Sequence, residues 1–180
     1  MAVRRYFLGA NTSKGFYSVY EDFCKPDSGN FLYVIKGGPG CGKSSFMKTI
    51  GKAAEDAGLD VEYVLCSADP DSLDGVFIPA WHVGYADGTS PHVLEVALPA
   101  ASGAYVDLGQ FYNVAALRPK REALAALTEK YRAQYAIAYK ALAEAKRLHD
   151  ELEAVYNPHV NFDGVYALAK EHILRLQTEN

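Results

Sequence analysis

The sequence predicts an α/β fold in which a mostly parallel sheet with flanking helices is followed by a long C-terminal helical extension. Up to about Gly109, short apolar runs alternate with segments rich in Gly, Pro, Asn and Asp, which is typical of strands joined by loops. Between Arg118 and Tyr156 there is no glycine, and Ala, Leu, Glu, Lys and Arg dominate, which favours helix. We therefore predict a core over residues 1–112 and a helical extension over residues 113–180, within a single domain overall.

The core is predicted to contain five strands and one helix. The run FLYVIKG is a continuous series of β-branched and aromatic residues, as expected of a buried parallel strand. Helix-forming residues extend from Lys43 to Ala57, and Gly58 is a good C-terminal stop. The predicted strands are, in chain order, RRYFLGA, FLYVIKG, DVEYVLCSA, HVGYAD and AYVDLG.

The extension is predicted to begin with one long helix or a helical pair. At about 1.5 Å per residue, a single helix from Arg118 to Tyr156 would be roughly 55 Å long, so it must protrude, bend or fold back. Apolar residues recur at heptad spacing and predict a packing face, although Lys120 and Gln134 interrupt one row. The two rows are Leu117, Leu124, Tyr131, Ala138, Ala145 and Leu152, and Leu127, Ala141, Leu148 and Val155. After the break NPHVN, the segment FDGVYALAKEHILRLQ predicts a last amphipathic helix.

Composition argues against several classes of function. The net charge of −4, with interspersed signs, provides no continuous basic surface, so we do not favour a nucleic-acid partner. Three scattered cysteines without C-x-x-C spacing argue against a disulfide framework or a zinc knuckle and fit a reducing compartment. No apolar run is long enough for a signal peptide or for a membrane span of about 18 residues. We therefore predict a soluble, cytoplasmic protein without a membrane partner.

The stretch Gly37–Ser44 matches the pattern G-x-x-x-x-G-K-[ST] between a predicted strand and a predicted helix. Glycines let the backbone curl so that successive N–H groups point at phosphate oxygens, and the following helix adds the positive end of its dipole. Lys43 is predicted to reach the β and γ phosphates, and Ser44 to place its hydroxyl on Mg²⁺. The sequence thus predicts a P-loop NTPase fold that binds a nucleoside triphosphate. The predicted nucleotide-binding residues are Gly37, Gly38, Pro39, Gly40, Cys41, Gly42, Lys43, Ser44 and Ser45.

Asp87, at the end of the predicted strand HVGYAD, is the second predicted magnesium ligand. Phosphate loops commonly work with an acidic residue at the end of a neighbouring strand. The alternative is a plain Asp-Gly turn, since Gly88 follows. No glutamate stands after Asp87 to activate water, which argues against fast hydrolysis. ATP is the predicted nucleotide, because no N-K-x-D segment that would read guanine occurs.

An acidic loop, CSADPDSLDG, follows the predicted strand DVEYVLCSA. The carboxyl ends of strands form the ligand crevice of a doubly wound sheet. We therefore predict that Asp69 is a general base for phosphoryl transfer or a substrate contact, with Lys43 as the other catalytic residue. Asp71 and Asp74 are secondary candidates. The alternative is that Asp69 and Asp71 cap the short turn PDSL.

Further candidates come from the loop GTSPH and from the start of the long helix. Thr89, Ser90 and His92 could read the γ-phosphate or line the acceptor pocket, although a loop histidine is commonly a surface residue. Arg118 and Arg121 could close on the phosphates as lid arginines, supplying charge to the transferring group. The alternative for both is a solvated position on the helix face.

Four motifs together resemble a bacterial family of uncharacterised P-loop proteins described as ATPases or as nucleotide-kinase-like. The motifs are RYFLGANTSKGFYSVY, KGGPGCGKSS, CSADPDSLDGVFIP and ADGTSPHV, and the resemblance extends from about Arg5 to His149. It implies nucleotide binding and an α/β P-loop fold, but no particular substrate. Members of the family usually contain two tandem copies of this unit, whereas this sequence contains one. The resemblance therefore also implies pairing with a tandem copy or self-association.

Two functions from different classes are compatible with these residues. The first is ATP-dependent phosphoryl transfer to an unknown small molecule, as in a small-molecule kinase, or slow ATP hydrolysis with water as the acceptor. The alternative is a nucleotide-gated interaction or regulatory module with little catalysis, whose long helix docks a partner or a second copy. The apolar rows of that helix can equally pack on the domain's own sheet. A scaffold that has lost its chemistry is disfavoured, because both Lys43 and Ser44 are present.

Overall fold

The computed structural model of the protein describes residues 1–25, 28–91 and 93–178. These residues form a six-stranded sheet, a separate two-stranded hairpin and α-helices. The strands are β1 (Val3–Tyr6), β2 (Gly9–Thr12), β3 (Gly15–Ser18), β4 (Phe31–Lys36), β5 (Val61–Leu65), β6 (Leu73–Ile78), β7 (Val83–Asp87) and β8 (Gly103–Asp107). The helices are α1 (Lys43–Asp56), α2 (Val114–Leu117), α3 (Arg121–Tyr156) and α4 (Phe162–Thr178).

The six-stranded sheet has the strand order β1-β5-β6-β7-β4-β8, and β2 pairs with β3 in the hairpin. Five of its strands run in the same direction, whereas β6 is antiparallel to both of its neighbours. The prediction of an α/β fold with a mostly parallel sheet and a long helix is therefore confirmed. Because β4 lies between the parallel strands β7 and β8, three chain segments leave the sheet side by side at the carboxyl end of β4.

Helix α1 covers one face of the sheet. Its Met47 and Ala54 are fully buried, and Gly51 lies between them on the same side of the helix. A Cβ atom at Gly51 would lie 2.4 Å from ring atoms of Tyr63 on β5, so glycine allows the helix to approach the sheet closely. The buried residues of this face are Ile35, Met47, Ala54, Val61, Tyr63, Leu73, Val76, Ile78 and Leu108.

The opposite face of the sheet is covered by a short 3-10 turn and by loop segments. The short 3-10 turn Tyr20–Asp22 and the two residues after it contribute most of this cover. Burial raises the pKa of the Cys24 thiol to about 12, so this cysteine is a packing residue and not a reactive one. The buried residues of this face are Tyr20, Phe23, Cys24, Leu32, Val34, Val64, Ala86 and Val96.

Two parts of the core differ from the predicted elements. The sequence analysis includes no strand for β6, whose first three residues, up to Gly75, fall within the predicted acidic loop. Asp and Gly are both depleted in strands. The sequence predicts one strand over RRYFLGA, whereas β1 ends at Tyr6 and the hairpin strand β2 begins at Gly9. A Cβ atom at Gly9 would lie 2.6 Å from the ring of Phe16 on β3, so this glycine begins a close hairpin contact.

Helix α3 is a single helix of 36 residues, which corresponds to about 54 Å at 1.5 Å per residue. Only Tyr135 and Tyr139 are half-buried, and every other residue of the helix is exposed. The hydroxyl of Tyr139 donates a hydrogen bond of 3.0 Å to Asn11 Oδ1 on β2. The row residues within α3 are exposed, with Leu127 at 63% and Tyr131 at 61%, so of the alternatives that the sequence leaves open the structure does not show packing on the domain's own sheet.

Helix α4 is also exposed along its described length. Its large apolar residues include Tyr166 and Leu174, each 63% exposed. None of the described helices is both long and apolar enough to cross a membrane. The helical extension over residues 113–178 thus presents apolar side chains that the core does not cover.

Candidate functional site

The loop Gly37–Ser44 connects the end of β4 to the start of α1. Its backbone requires glycine at two places, because Gly40 has a φ of 74° and Gly42 a φ of 89°, both in the left-handed region. Gly37 is also restricted, since a Cβ atom there would lie 2.5 Å from Cys41 Sγ. Gly37, Gly40 and Gly42 therefore each have a structural reason, and the loop leads directly into the N-terminus of the helix.

At the N-terminus of α1, the first backbone N–H groups are hydrogen-bond donors without a protein acceptor among the described residues. In the part of the chain that the structure describes, no protein atom accepts a hydrogen bond from the backbone N–H groups of Gly42, Lys43 or Ser44. The first N–H groups of any helix lack partners within the helix, and here no side chain caps them. Such donors, together with the helix dipole, form an anion-binding site.

The side chain of Lys43 folds back over the loop. Its Nζ donates hydrogen bonds to the carbonyl oxygens of Gly37 at 3.0 Å and Gly38 at 3.2 Å. The same Nζ lies 3.6 Å from Asp87 Oδ2, and the two side chains are only 12% and 14% exposed. A primary ammonium group is thus held at the mouth of the loop, facing a carboxylate on the neighbouring strand.

Asp87 is both a turn residue and a neighbour of the loop. It pairs with Ile35 across β7 and β4, so its position is set by the strand that leads into the loop. Asp87 Oδ1 accepts hydrogen bonds from the backbone N–H of Thr89 at 2.8 Å and from its hydroxyl at 2.5 Å. The Asp-Gly turn and the contact with Lys43 therefore use different oxygens of one carboxylate.

Lys36 fixes the loop that follows Asp87. Its Nζ donates to the carbonyl oxygens of Gly88 at 3.0 Å and Leu94 at 2.9 Å, and to Glu95 Oε1 at 2.7 Å. The hydrogen bond from Lys36 is the main cause of the lowered pKa of Glu95. The loop is thereby bound to the last residue of β4, which restrains the position of Asp87.

Ser44 lies between the loop and β6. Its Oγ accepts a hydrogen bond of 2.9 Å from the backbone N–H of Leu73. Among the described residues, no group of three or more His, Cys, Asp or Glu side chains is arranged to hold a metal ion. A magnesium ion held by Ser44 and Asp87 would therefore take most of its ligands from phosphate oxygens and water, as this ion commonly does.

Asp69 caps the turn that precedes β6. Its Oδ1 accepts from the backbone N–H of Asp71 at 3.2 Å, and its Oδ2 accepts from the hydroxyl of Ser72 at 2.6 Å. The hydrogen bond from Ser72 is the main cause of the lowered pKa of Asp69, which makes the carboxylate a weaker base. This arrangement is the turn-capping alternative, and the lowered pKa makes Asp69 a less effective general base.

Asp74 is buried on the other face of the sheet. The pairing of β5 with β6 passes from Gly75 to Leu73, so Asp74 is the extra residue of a β-bulge. It is 4% exposed and accepts a hydrogen bond of 3.1 Å from the Tyr20 hydroxyl. Burial and then the charge of Asp74 raise the pKa of Tyr20. This position, buried at a bulge and hydrogen-bonded to Tyr20, gives Asp74 a structural role.

Tyr112 contacts the loop although no motif identifies it. Its hydroxyl donates a hydrogen bond of 2.7 Å to the carbonyl oxygen of Pro39. A Cβ atom at Gly38 would lie 3.0 Å from that hydroxyl, so the ring lies directly against the loop. The only sequence signal is the aromatic pair that follows the last core strand, in GQFYN.

The remaining predicted candidates are Arg118, Arg121, Ser90 and His92. Arg118 and Arg121 are exposed at the start of the helical extension, which agrees with the solvated alternative. Ser90 is exposed, and His92 lies outside the described residues.

No protein family, curated protein or solved structure matches this chain.

Proposed function

We propose that this protein is a P-loop NTPase that binds Mg²⁺-ATP and transfers its γ-phosphoryl group to a small molecule or, slowly, to water. The observation that carries the proposal is the ammonium group of Lys43, held over a glycine loop and 3.6 Å from the Asp87 carboxylate on the adjacent strand. The motifs that resemble the family of P-loop ATPases and nucleotide-kinase-like proteins support the same assignment.

The proposed site divides the work among a few groups. Backbone N–H groups at the start of α1 hold the phosphates, and Lys43 exchanges the carbonyl oxygens of Gly37 and Gly38 for phosphate oxygens. Ser44 and Asp87 would hold Mg²⁺, directly or through water. When bound, the ion would supply positive charge that offsets the negative charge of the phosphates.

Transfer is favoured over rapid hydrolysis by the residues next to Asp87. Gly88 follows it, and the N–H of this glycine donates to the Ile35 carbonyl oxygen at 3.0 Å. No carboxylate is therefore available at this position to activate water. Asp69 is the candidate base for an acceptor hydroxyl, and each of its oxygens keeps acceptor capacity beyond the one hydrogen bond that it accepts in the turn.

The test is a turnover screen with labelled ATP, using water and pools of metabolites as acceptors. Wild-type protein should transfer label, and Lys43→Ala should lower the rate by on the order of 100-fold, as loss of a group that stabilises the transition state does. Lys52→Ala is the matched control, because Lys52 is an exposed lysine of the same helix that pairs with Asp56. Equal turnover by wild type and Lys43→Ala would identify a contaminating activity and contradict the proposal.

A nucleotide-gated interaction module is the second candidate. The observation that favours it is the exposed apolar surface of α3 and α4, including Leu127, Tyr131, Tyr166 and Leu174, all above 60% exposed. The largest apolar patch of a typical monomer is about 300–600 Å², and such surfaces commonly mark interaction sites. In this proposal a tandem or second copy covers the helices, and ATP changes its affinity.

Sedimentation of the wild type with and without Mg²⁺-ATP tests the second candidate. The variant Leu127→Glu/Tyr131→Glu should remain folded, because both side chains are exposed, and should no longer self-associate. Circular dichroism melts provide the folding control. A wild type that remains monomeric whether or not nucleotide is present would contradict self-association.

A further inference from the structure

Phe111 has an unusual position for an exposed aromatic ring. It is 78% exposed, the largest exposed fraction among the large hydrophobic side chains that the structure describes. Single exposed apolar residues are common on protein surfaces and need no explanation by themselves. The location of Phe111 beside the phosphate loop is what gives its exposure significance.

The segment that carries Phe111 is packed against that loop. Leu108 is only 8% exposed, and a Cβ atom at Gly37 would lie 3.5 Å from Leu108 Cβ and 3.4 Å from the Gly109 nitrogen. On the other side of Phe111, the Tyr112 hydroxyl donates to the Pro39 carbonyl oxygen at 2.7 Å. The ring is thus exposed between two anchor points on the loop.

Hydrogen bonds within the segment also restrain its backbone. Asp107 Oδ1 accepts from the Gly109 N–H at 2.7 Å, and the Tyr112 N–H donates to the Gly109 carbonyl oxygen at 3.1 Å. The side-chain amide of Gln110 donates to the Asp107 carbonyl oxygen at 2.6 Å. An aromatic ring on such a restrained backbone loses little conformational freedom when it binds a ligand.

The strand order indicates which end of a nucleotide would meet this ring. Lys43 and Asp87 contact each other on the β7 side of β4, so the metal and the γ-phosphate belong on that side. Phe111 follows β8, the neighbour of β4 on the opposite side. A triphosphate that wraps around the loop from the γ end therefore directs its nucleoside end toward the segment after β8.

We propose that Phe111 is the stacking platform for the nucleobase of the bound nucleoside triphosphate. The proposal rests on the proposed function, because it assumes that the loop Gly37–Ser44 holds the phosphates. Bases stack on aromatic rings through their π faces, which every base possesses. The ring therefore strengthens the binding of nucleotides in general, and any choice among bases comes from other groups.

The experiment compares Mg²⁺-ATP with Mg²⁺-tripolyphosphate, which has the phosphates but no base, by calorimetric titration. Phe111→Ala should weaken ATP binding by on the order of tenfold, the effect of losing one stacked base, and leave tripolyphosphate binding unchanged. Phe111→Trp should retain the affinity for ATP. Trp81→Ala is the control, because Trp81 is another exposed aromatic residue, 49% exposed, and it lies before the amino end of β7, whereas Phe111 follows the carboxyl end of β8.

The outcomes separate this proposal from the proposed function. If wild type binds both ligands and Phe111→Ala weakens neither, or weakens both equally, the stacking role is overturned while the phosphate site stands. If wild type binds neither ligand, the phosphate site itself is overturned, and the stacking role with it. Unchanged tripolyphosphate binding by Phe111→Ala also demonstrates that the variant is folded.

Discussion

Lys43→Ala should remove most of the thermal stabilisation that Mg²⁺-ATP gives to the wild-type protein. A ligand present at 100 times its Kd stabilises the folded state by about 2.7 kcal/mol. For a chain of this length, that corresponds to an increase in Tm of roughly 5–10 °C. The ammonium group of Lys43 is held beside the loop by the Gly37 carbonyl oxygen and Asp87. The substitution Lys43→Ala therefore removes the strongest proposed contact with the phosphates.

The measurement is a melting curve with and without millimolar Mg²⁺-ATP for wild type, Lys43→Ala and Lys52→Ala. Without nucleotide, Lys43→Ala loses two hydrogen bonds to loop carbonyl groups and the 3.6 Å contact with Asp87, so the shift of each variant is measured against its own melting curve without ligand. Lys52→Ala should retain the full shift, since Lys52 pairs with Asp56 on the exposed side of α1. A wild type whose Tm does not respond to Mg²⁺-ATP would contradict nucleotide binding altogether.

The parts of the fold that the sequence predicts best are those with a strong local signal. β4 is a continuous apolar run, and α1 begins within a glycine motif and ends near Gly58, so both are predicted almost to the residue. β6 lacks such a signal, because Asp74 lies at a bulge and faces a buried tyrosine that is distant in the sequence. β6 is a strand because it pairs with β5 and β7, and the propensities of its own residues do not reveal that pairing.

The helical extension shows a different limit of sequence analysis. The absence of glycine and the helix-forming composition predict one long helix or a helical pair, and the structure has one long helix. The heptad rows predict only that this helix has an apolar face. The spacing cannot indicate what the apolar face contacts. In the structure, the half-buried residues of α3 are Tyr135 and Tyr139, which lie outside both rows, and every row residue within α3 is exposed.

The candidate site is predictable to the extent that its chemistry depends on motifs. Lys43 and Asp87 are identified because a glycine loop and an acidic strand end each have a recognisable sequence. Lys36 and Tyr112 are not, because each acts through contacts with a loop that the fold brings close. Asp69 illustrates the converse, since its acidic context suggests catalysis while both of its oxygens bind the adjacent turn.

Asp87→Asn should weaken the binding of ATP in Mg²⁺ by roughly 10–100-fold, which is typical when a group that orients a bound metal is lost. In EDTA the same substitution should leave ATP binding unchanged or slightly tighter, because it removes a negative charge from beside the phosphates. The amide oxygen of Asn can still accept the hydrogen bonds of Thr89, so the turn should persist.

Asp107→Asn is the matched control for this prediction. Asp107 ends β8, the other neighbour of β4, and accepts the Gly109 N–H in a similar turn, but it lies on the side away from Lys43. Titrations of wild type and both variants, in Mg²⁺ and in EDTA, complete the comparison. A metal ligand at Asp87 requires that only Asp87→Asn shows a loss of affinity that depends on Mg²⁺. Equal weakening of Asp87→Asn in both buffers would instead assign Asp87 to the turn alone, because a broken turn distorts the phosphate site whether or not the metal is present.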